Sequence, residues 1–188
     1  MREILDCIER MLNENGSDLY GGEAVTQTQH ALQCAQLAEA ENASPELVAA
    51  SLLHDIGHLL DPEFRNELQP DEDMVHEDMG EAFLEDWFPE AVTQPVRLHV
   101  DAKRYLCATD SGYLAKLSPA SVHSLELQGG PMNEAEIAVF EKNRFYMEAL
   151  RLRIWDDLAK DPDMETRPVA HFMGYVEQSL DVQRGNRN

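Results

Sequence analysis

The residues best suited to chemistry lie in one stretch of seven, Leu-Leu-His-Asp-Ile-Gly-His at positions 52–58. Small and apolar residues precede this stretch from Ala49 onward, which predicts the end of a buried helix. Burying an unpaired His or Asp side chain costs on the order of several kcal/mol. Since neighbouring helical side chains point about 100° apart, a metal cation between His54 and Asp55 would satisfy both. His58 lies one turn after His54, on the same face.

An alternative is that His54 and His58 are core histidines hydrogen-bonded to Asp55. We favour a metal because further His and Asp residues recur in comparable settings, and the candidate ligands are His30, His54, Asp55, His76, His99 and Asp156. This imidazole and carboxylate set suits iron, manganese, cobalt, nickel or zinc. One metal cannot use all six ligands and keep a position for substrate, whereas two metals bridged by Asp55 can. Spacing alone does not separate Asp156 from Asp157. The remaining histidines, His123 and His171, are assigned to surface or packing.

Composition limits the class of protein. The 188 residues carry a formal charge of −21, from 36 acidic and 15 basic side chains. This charge argues against nucleic acid and anionic membranes as partners. Three scattered cysteines without a CxxC pair indicate neither a disulfide framework nor a thiolate zinc site. With no apolar stretch of membrane-spanning length and no signal-peptide core, we expect one cytoplasmic domain over residues 1–188.

Helical spacing dominates and no strand-like alternation is sustained, so we expect an all-α fold. The expected helices cover Ile4 to Leu12, Val25 to Asn42, Ser44 into His54-Asp55 with a stop near Gly57 to Pro62, Val75 to Phe88, a segment from Pro89, a short start at Ser118-Pro119, one long helix from Asn133 to Leu158, and about Val169 to Leu180. Residues 64–74 are expected to be irregular, and residues 184–188 a frayed tail.

Two cations stand one turn from candidate ligands, which is where an anionic group on a metal-bound substrate would lie. Lys103 follows His99 by four positions and Arg153 precedes Asp156 by three. Arginine suits bidentate contact with the oxygens of such an anionic group, and lysine acts as a point charge. The predicted helix start near Ser121 adds free N–H groups that can bind an anion. For either cation taken alone, the alternative is that its side chain lies on a solvated helix surface and has no role in binding.

The motif H…HD…D, at His30, His54-Asp55 and Asp156, resembles the HD-domain superfamily. The interposed His76 and His99 resemble its dinuclear branch, which contains phosphohydrolases and a smaller group of di-iron oxygenases. The flanking segments at Tyr20 and Glu23 and at 52–58, 99–105, 117–122, 127–132 and 153–156 are similar to the 2-amino-1-hydroxyethylphosphonate oxygenases. This resemblance covers roughly residues 20–160.

The resemblance implies a helical bundle around a dinuclear site. Two irons, Fe(II) and Fe(III), would be held by the six ligands with Asp55 bridging, and O2 would be the co-substrate. Lys103, Arg153 and Ser121 would bind the phosphonate, with Ser118 and Ser124 as neighbours of Ser121. His58 would lie close to substrate. Tyr20 would occupy the open iron position in the empty enzyme and Glu23 would contact a cationic amine, both moving as substrate enters.

The implied reaction is cleavage of the C–P bond of a 1-hydroxyphosphonate by O2. A free amine gives glycine and a trimethylated one gives glycine betaine, which Tyr20 or Trp155 could favour by cation–π contact. From the residues alone, the Tyr20–Glu23 segment is a surface loop rather than a flap. The alternatives are an HD phosphohydrolase acting on a phosphomonoester or nucleotide, and a metal-dependent sensor with a degenerate site. Oligomeric state stays open.

Overall fold

The computed structural model describes residues 2–60 and 76–181, and these form helices joined by short turns. Within them the only β-type pairing is an isolated antiparallel bridge between Leu19 and Thr26. The expected all-α class is therefore confirmed. The helices are α1 Arg2–Glu14, α2 Gln27–Ala40, α3 Pro45–Leu53, α4 Ile56–Leu59, α5 His76–Leu84, α6 Glu90–Thr109, a 3-10 turn Leu114–Lys116, α7 Pro119–Leu127, α8 Glu134–Phe140, α9 Tyr146–Leu158 and α10 Val169–Gln178.

Local capping explains where several of these helices begin. Thr26 and Gln29 form a reciprocal capping box at the start of α2. Ser44 caps α3, and Ser118 caps α7, each with proline in the first turn. These caps fix the entry points of the elements that carry His30, His54 and Ser121.

Helix α3 lies at the centre of the core. All of its residues from Leu47 to Leu53 are buried, and it packs against α2, α6, α9 and α10. A smaller apolar cluster brings Ala102 of α6 against Phe140 and Ala149. In the described ranges no helix is both long and apolar enough to cross a membrane.

The helix that carries His54 ends earlier than expected. Helix α3 stops at Leu53, and the Asp55 backbone (φ −103°, ψ 16°) separates it from the short α4. The prediction that one helix runs through His54-Asp55 to Gly57 is therefore wrong. The break changes the direction of the chain at His54 and Asp55. The angle between these two side chains is therefore not that of a continuous helix.

The expected helix from Asn133 to Leu158 is two helices, α8 and α9, and this prediction is also wrong. The Asn143 side chain accepts a hydrogen bond from the Phe145 backbone N–H at 2.9 Å and donates to Gln94 at 2.8 Å. A side chain that bonds the backbone in this way competes with continuation of the helix. The predictions for residues 64–74 and 184–188 fall outside the described residues.

Gly57 lies where α4 meets α5. A Cβ atom at this position would overlap the backbone carbonyl of His76, whereas a Cβ at the exposed Gly174 of α10 would meet no atom within 4 Å. The close approach of α4 to α5 therefore depends on the absence of a side chain.

We predict that Gly57→Ala lowers the free energy of unfolding by about 1–3 kcal/mol, as overpacking does. The matched control Gly174→Ala is expected to raise it by up to roughly 1 kcal/mol through helix propensity. Chemical denaturation of both variants checks this, and equal stability of the two would contradict the described packing.

Candidate metal centre

Six side chains from five parts of the fold converge below the surface. His30 comes from α2, His54 and Asp55 from the α3–α4 junction, His76 from the first residue of α5, His99 from α6 and Asp156 from α9. His76 is half-buried and the other five are buried. All six sequence-predicted ligands are thus brought together.

The first group consists of His30, His54 and Asp55, whose ligand atoms lie within 4.8 Å of one another. The Nε2 atoms of His30 and His54 are 3.1 Å apart. Asp55 Oδ2 is 3.2 Å from His54 Nε2 and 3.8 Å from His30 Nε2. Asp156 joins this group through Oδ1, which is 3.4 Å from His30 Nε2.

The second group consists of Asp55, His76 and His99. The Nε2 atoms of the two histidines are 3.1 Å apart, and Asp55 Oδ1 lies 3.2 Å from His76 Nε2 and 3.5 Å from His99 Nε2. Asp55 therefore presents one carboxylate oxygen to each group. This is the arrangement that a bridging ligand between two metals requires.

Backbone carbonyls define the tautomers of three of these histidines. Nδ1 of His30, His54 and His99 lies 2.7–2.9 Å from the carbonyl oxygens of Ala159, Ser51 and Val96. A carbonyl only accepts, so each Nδ1 donates, and the neutral ring then turns an Nε2 lone pair toward its neighbour. Lone pairs facing each other at such short separations repel unless a proton or a metal cation lies between them. Carbonyl contacts of this kind commonly orient metal-bound histidines.

The carboxylates also fit cations. Within the described residues Asp55 Oδ2 and Asp156 Oδ2 are buried and accept no hydrogen bond, although Asp156 Oδ2 forms an ion pair with Arg153. Burial by itself would raise the pKa of Asp55, but the neighbouring His54 and His76 hold it well below the usual range. Burial lowers the pKa of His99 to about 3, which keeps that imidazole neutral and able to ligate. Against the opposing effect of burial, Asp55 raises the pKa of His54 and of His76. Carboxylates beside imidazoles form a donor set that two divalent or trivalent cations would satisfy in place of protons.

A cavity of about 400 Å³ is lined by all three members of the second group, Asp55, His76 and His99. Two buried cations line it, Lys103 and Arg153, which are 2% and 4% exposed. Burial, and secondarily the charge of Arg153, lowers the pKa of Lys103 to about 8. His58 and Ser121 line the same cavity, and the His58 ring stacks on His76 with centroids 4.2 Å apart. The cavity thus combines metal-ligand groups with a local positive charge, against the acidic balance of the whole chain.

The structure separates Asp156 from Asp157. Asp156 Oδ1 faces His30, and Asp156 Oδ2 lies 2.7 Å from Arg153 Nη1. Asp157 instead contacts the Tyr113 hydroxyl and Arg153, and its Oδ1 lies 3.6 Å from Lys160 Nζ. Spacing could not make this distinction because both residues follow Arg153 by about one turn.

The Tyr20–Glu23 segment reaches the site. Gly21 and Gly22 adopt positive φ angles of 49° and 85°, which glycine tolerates without a Cβ penalty. The Tyr20 ring stacks on His30 at a centroid distance of 3.7 Å, and its hydroxyl lies 3.4 Å from Asp156 Oδ1. Glu23 accepts a 2.5 Å hydrogen bond from Ser118. The segment is exposed at its two glycines and packs its tyrosine, as the interpretation of a surface loop with a packed tyrosine expects, but it also places Tyr20 and Glu23 at the cavity wall.

Several residues at the site were missed or misplaced by sequence reasoning. His123, assigned to surface or packing, lines the cavity, as do Gln27 and Gln128. Tyr113 and Lys160 contact site residues. No local pattern marks Tyr113, whereas Lys160 follows Asp157 by three and helical spacing could have found it. Trp155, suggested as an aromatic partner for a quaternary amine, is buried in the core beneath Arg151 and does not line the cavity. His171 lies outside the site, 2.7 Å from Glu39.

Comparison with known proteins agrees with this geometry. The model of the HD domain family matches residues 28–159. The chain is 42% identical over 182 residues to (1-hydroxy-2-(trimethylamino)ethyl)phosphonate dioxygenase (glycine-betaine-forming) from Leisingera caerulea, covering 97% of this chain and 93% of the relative. It is 44% identical over 180 residues to hydroxymethylphosphonate dioxygenase from Gimesia maris, covering 95% and 89%. An uncharacterised protein of Acanthamoeba polyphaga mimivirus is 30% identical over 193 residues, covering 99% and 87%.

We predict that His76→Ala loses about half of the bound metal, because His76 serves only the second group, whereas Asp55→Ala loses nearly all of it. His171→Ala is the matched control and should keep its full metal content. Elemental analysis of purified, iron-loaded variants measures this. A full complement of metal in Asp55→Ala would contradict the bridging role.

Proposed function

Since this chain belongs to the HD-domain family, we propose that it acts as a dioxygenase that cleaves the C–P bond of a 1-hydroxyphosphonate. One observation carries this proposal. The second His/Asp group, which shares Asp55 with the first, lines the same cavity as the buried cations Lys103 and Arg153. A molecule that carries a phosphonate beside a metal-binding hydroxyl complements both features. The relatives named as phosphonate dioxygenases support the same reaction.

For the metals we propose two irons, held by His30, His54 and Asp156 on one side, by His76 and His99 on the other, and by Asp55 between them. The nitrogen and oxygen donors without thiolate are compatible with iron, and oxygen chemistry calls for a redox-active metal. Bound there, the metal pair would supply activation of O2 and Lewis-acid polarisation of the substrate oxygens.

The chain's own share is recognition of the phosphonate. Arg153 donates hydrogen bonds from Nε and Nη2 to Asp157, and its Nη1 lies 2.7 Å from Asp156 Oδ2 in an ion pair. The remaining N–H donors on its two terminal nitrogens suit bidentate binding of phosphonate oxygens. Lys103 adds a point charge that is held in place by its 2.7 Å hydrogen bond to Ser124. Both cations would orient the C–P bond toward the metal ligands.

Other parts of the cavity wall are formed by Tyr20, Glu23 and His58. Burial and the nearby Asp156 raise the pKa of Tyr20 well above its ordinary value, so the phenol stays protonated. We propose that Tyr20 and Glu23 move together on their glycine hinge when substrate enters, closing the cavity to water. His58, beside His76, would contact the substrate oxygens.

The proposed reaction balances without an external reductant. A 1-hydroxyphosphonate and O2 give a carboxylic acid and phosphate, with the C–P bond and one C–H bond broken. Both atoms of O2 end in the products. We therefore expect one molecule of O2 to be consumed for each phosphate that is released.

We propose a substrate that carries a cationic amine on the carbon next to the hydroxyl-bearing one. Glu23 supplies a carboxylate at the cavity wall, which complements such a charge. The relatives' names include both a trimethylamino and a hydroxymethyl substrate. Among the described lining residues the only large aromatic ring is Tyr20, which already stacks on His30, so there is no aromatic cage of the kind that favours quaternary ammonium. The charge, rather than the methyl groups, is the feature that this wall recognises.

The test is O2 consumption with phosphate release by the iron-loaded protein. The substrates are 1-hydroxy-2-aminoethylphosphonate, its N-trimethyl analogue and hydroxymethylphosphonate. Equal O2 uptake and phosphate release with an amine-bearing substrate is the expected result. Phosphate released from a phosphomonoester without O2 uptake would instead indicate the phosphohydrolase alternative.

Because the pKa of Lys103 is lowered to about 8, its positive charge is present below that pH and is lost as the pH rises through it. We predict that kcat/KM falls above about pH 8, mainly through a higher KM. Lys103→Arg, which stays charged, should move this fall to higher pH. A wild-type profile that is flat from pH 7 to 10 would rule out a role for the Lys103 charge in binding.

A further inference from the structure

Lys160 is a largely buried cation that the site described so far does not use. It follows the last residue of α9 by two positions, and its side chain is 11% exposed. Its Nζ donates a 2.9 Å hydrogen bond to Ser121 Oγ and lies 3.6 Å from Asp157 Oδ1. An ammonium held inside the protein against a cavity-lining hydroxyl requires an explanation beyond solvation.

The contact fixes the direction of the Ser121 hydroxyl. An ammonium has only protons to give, so Ser121 Oγ is the acceptor and its own proton must point elsewhere. Within the described chain no group accepts a hydrogen bond from Ser121 Oγ, and Ser121 lines the cavity. The proton is therefore left for a ligand oxygen in the cavity.

The neighbouring Ser124 provides the contrast. Its hydroxyl accepts from Lys103 at 2.7 Å and donates to the Ser121 carbonyl at 3.1 Å. Both capacities are thus used within the protein, and Ser124 acts by holding Lys103. Ser121 and Ser124 lie one turn apart and each accepts a hydrogen bond from a lysine. Their roles differ because only Ser121 keeps a hydroxyl proton that it can donate to a ligand.

Asp157 joins this contact to Arg153. It lies between the guanidinium and the Lys160 ammonium, and the Tyr113 hydroxyl contacts the same carboxylate. The carboxylate offsets part of the positive charge and holds both cations at the end of α9. The guanidinium and the Ser121 hydroxyl are therefore positioned by one connected unit.

We propose that Lys160 is a positioning residue that sets the Ser121 hydroxyl as a hydrogen-bond donor to the phosphonate. Lys160 acts through Ser121 and does not touch the substrate. This inference rests on the proposed function, since it takes a phosphonate as the anion in the cavity.

The test is a double-mutant cycle on the iron-loaded protein, read by calorimetric binding of methylphosphonate without O2. Methylphosphonate carries the anionic group alone. Lys160→Met is expected to weaken binding about tenfold, the scale of one charge-assisted hydrogen bond. Lys160→Arg should restore most of the affinity. In a Ser121→Ala background, Lys160→Met should have little further effect, since residues that act as one unit are not additive.

Steady-state kinetics with the preferred hydroxyphosphonate provide the second readout. Lys160→Met should raise KM with little change in kcat, because binding is lost without loss of the metal ligands. Lys142→Met is the charge control, since Lys142 is exposed and remote from the site, and it should bind as the wild type does. Thermal unfolding of each variant identifies any that fails to fold, in which case Lys160→Arg decides.

Additive losses in the cycle would overturn the inference, because Lys160 would then act as an independent charge. Unchanged binding by Lys160→Met would also overturn it. In either case the wild type still binds methylphosphonate and the proposed function stands. A wild type that binds no phosphonate would instead overturn the proposed function together with this inference.

Discussion

The structure depends on one electrostatic constraint, the burial of Asp55 among four imidazoles whose Nε2 atoms face one another in pairs. On one side of its carboxylate the Nε2 atoms of His30 and His54 are 3.1 Å apart, and on the other side those of His76 and His99 are also 3.1 Å apart. Such an arrangement is unfavourable in a low-dielectric interior unless cations compensate it. Metal binding and the stability of this centre are consequently linked, because the free energy of binding the ions offsets the unfavourable free energy of bringing these groups together.

The fold serves this constraint through two irregularities. The break between α3 and α4 lets His54 and Asp55 reach the same centre from a junction rather than from one helical face. Gly57 then admits the backbone of His76 at van der Waals distance. The remaining ligands come from the sides of the longer helices, which pack on the buried α3. A rigid apolar framework thus holds a charged centre whose ligands are far apart in sequence.

Much of this candidate centre could be predicted from the sequence, because His and Asp are common metal ligands and are conspicuous on apolar helices. Residue spacing and the family resemblance were sufficient to predict the six candidate ligands, Lys103, Arg153 and the all-α class. The different positions of Asp156 and Asp157 could not be predicted in this way. Both residues follow Arg153 on one helix, and only tertiary packing decides which of them faces His30. The position of the Tyr20–Glu23 segment and the contacts of Tyr113 and Lys160 likewise depend on tertiary packing. Near Asn143, the side chain that interrupts the helix through its bond to the Phe145 backbone also bonds to Gln94, which lies 49 residues away in sequence.

The central claim is that Asp55 bridges two metals. The most direct measurement is a crystal structure of the iron-loaded protein with anomalous diffraction data collected at the iron absorption edge. Two anomalous peaks are predicted, one beside His30 and His54 and the other beside His76 and His99, with an oxygen of Asp55 at each. A single peak, or two peaks of which only one contacts Asp55, would contradict the account.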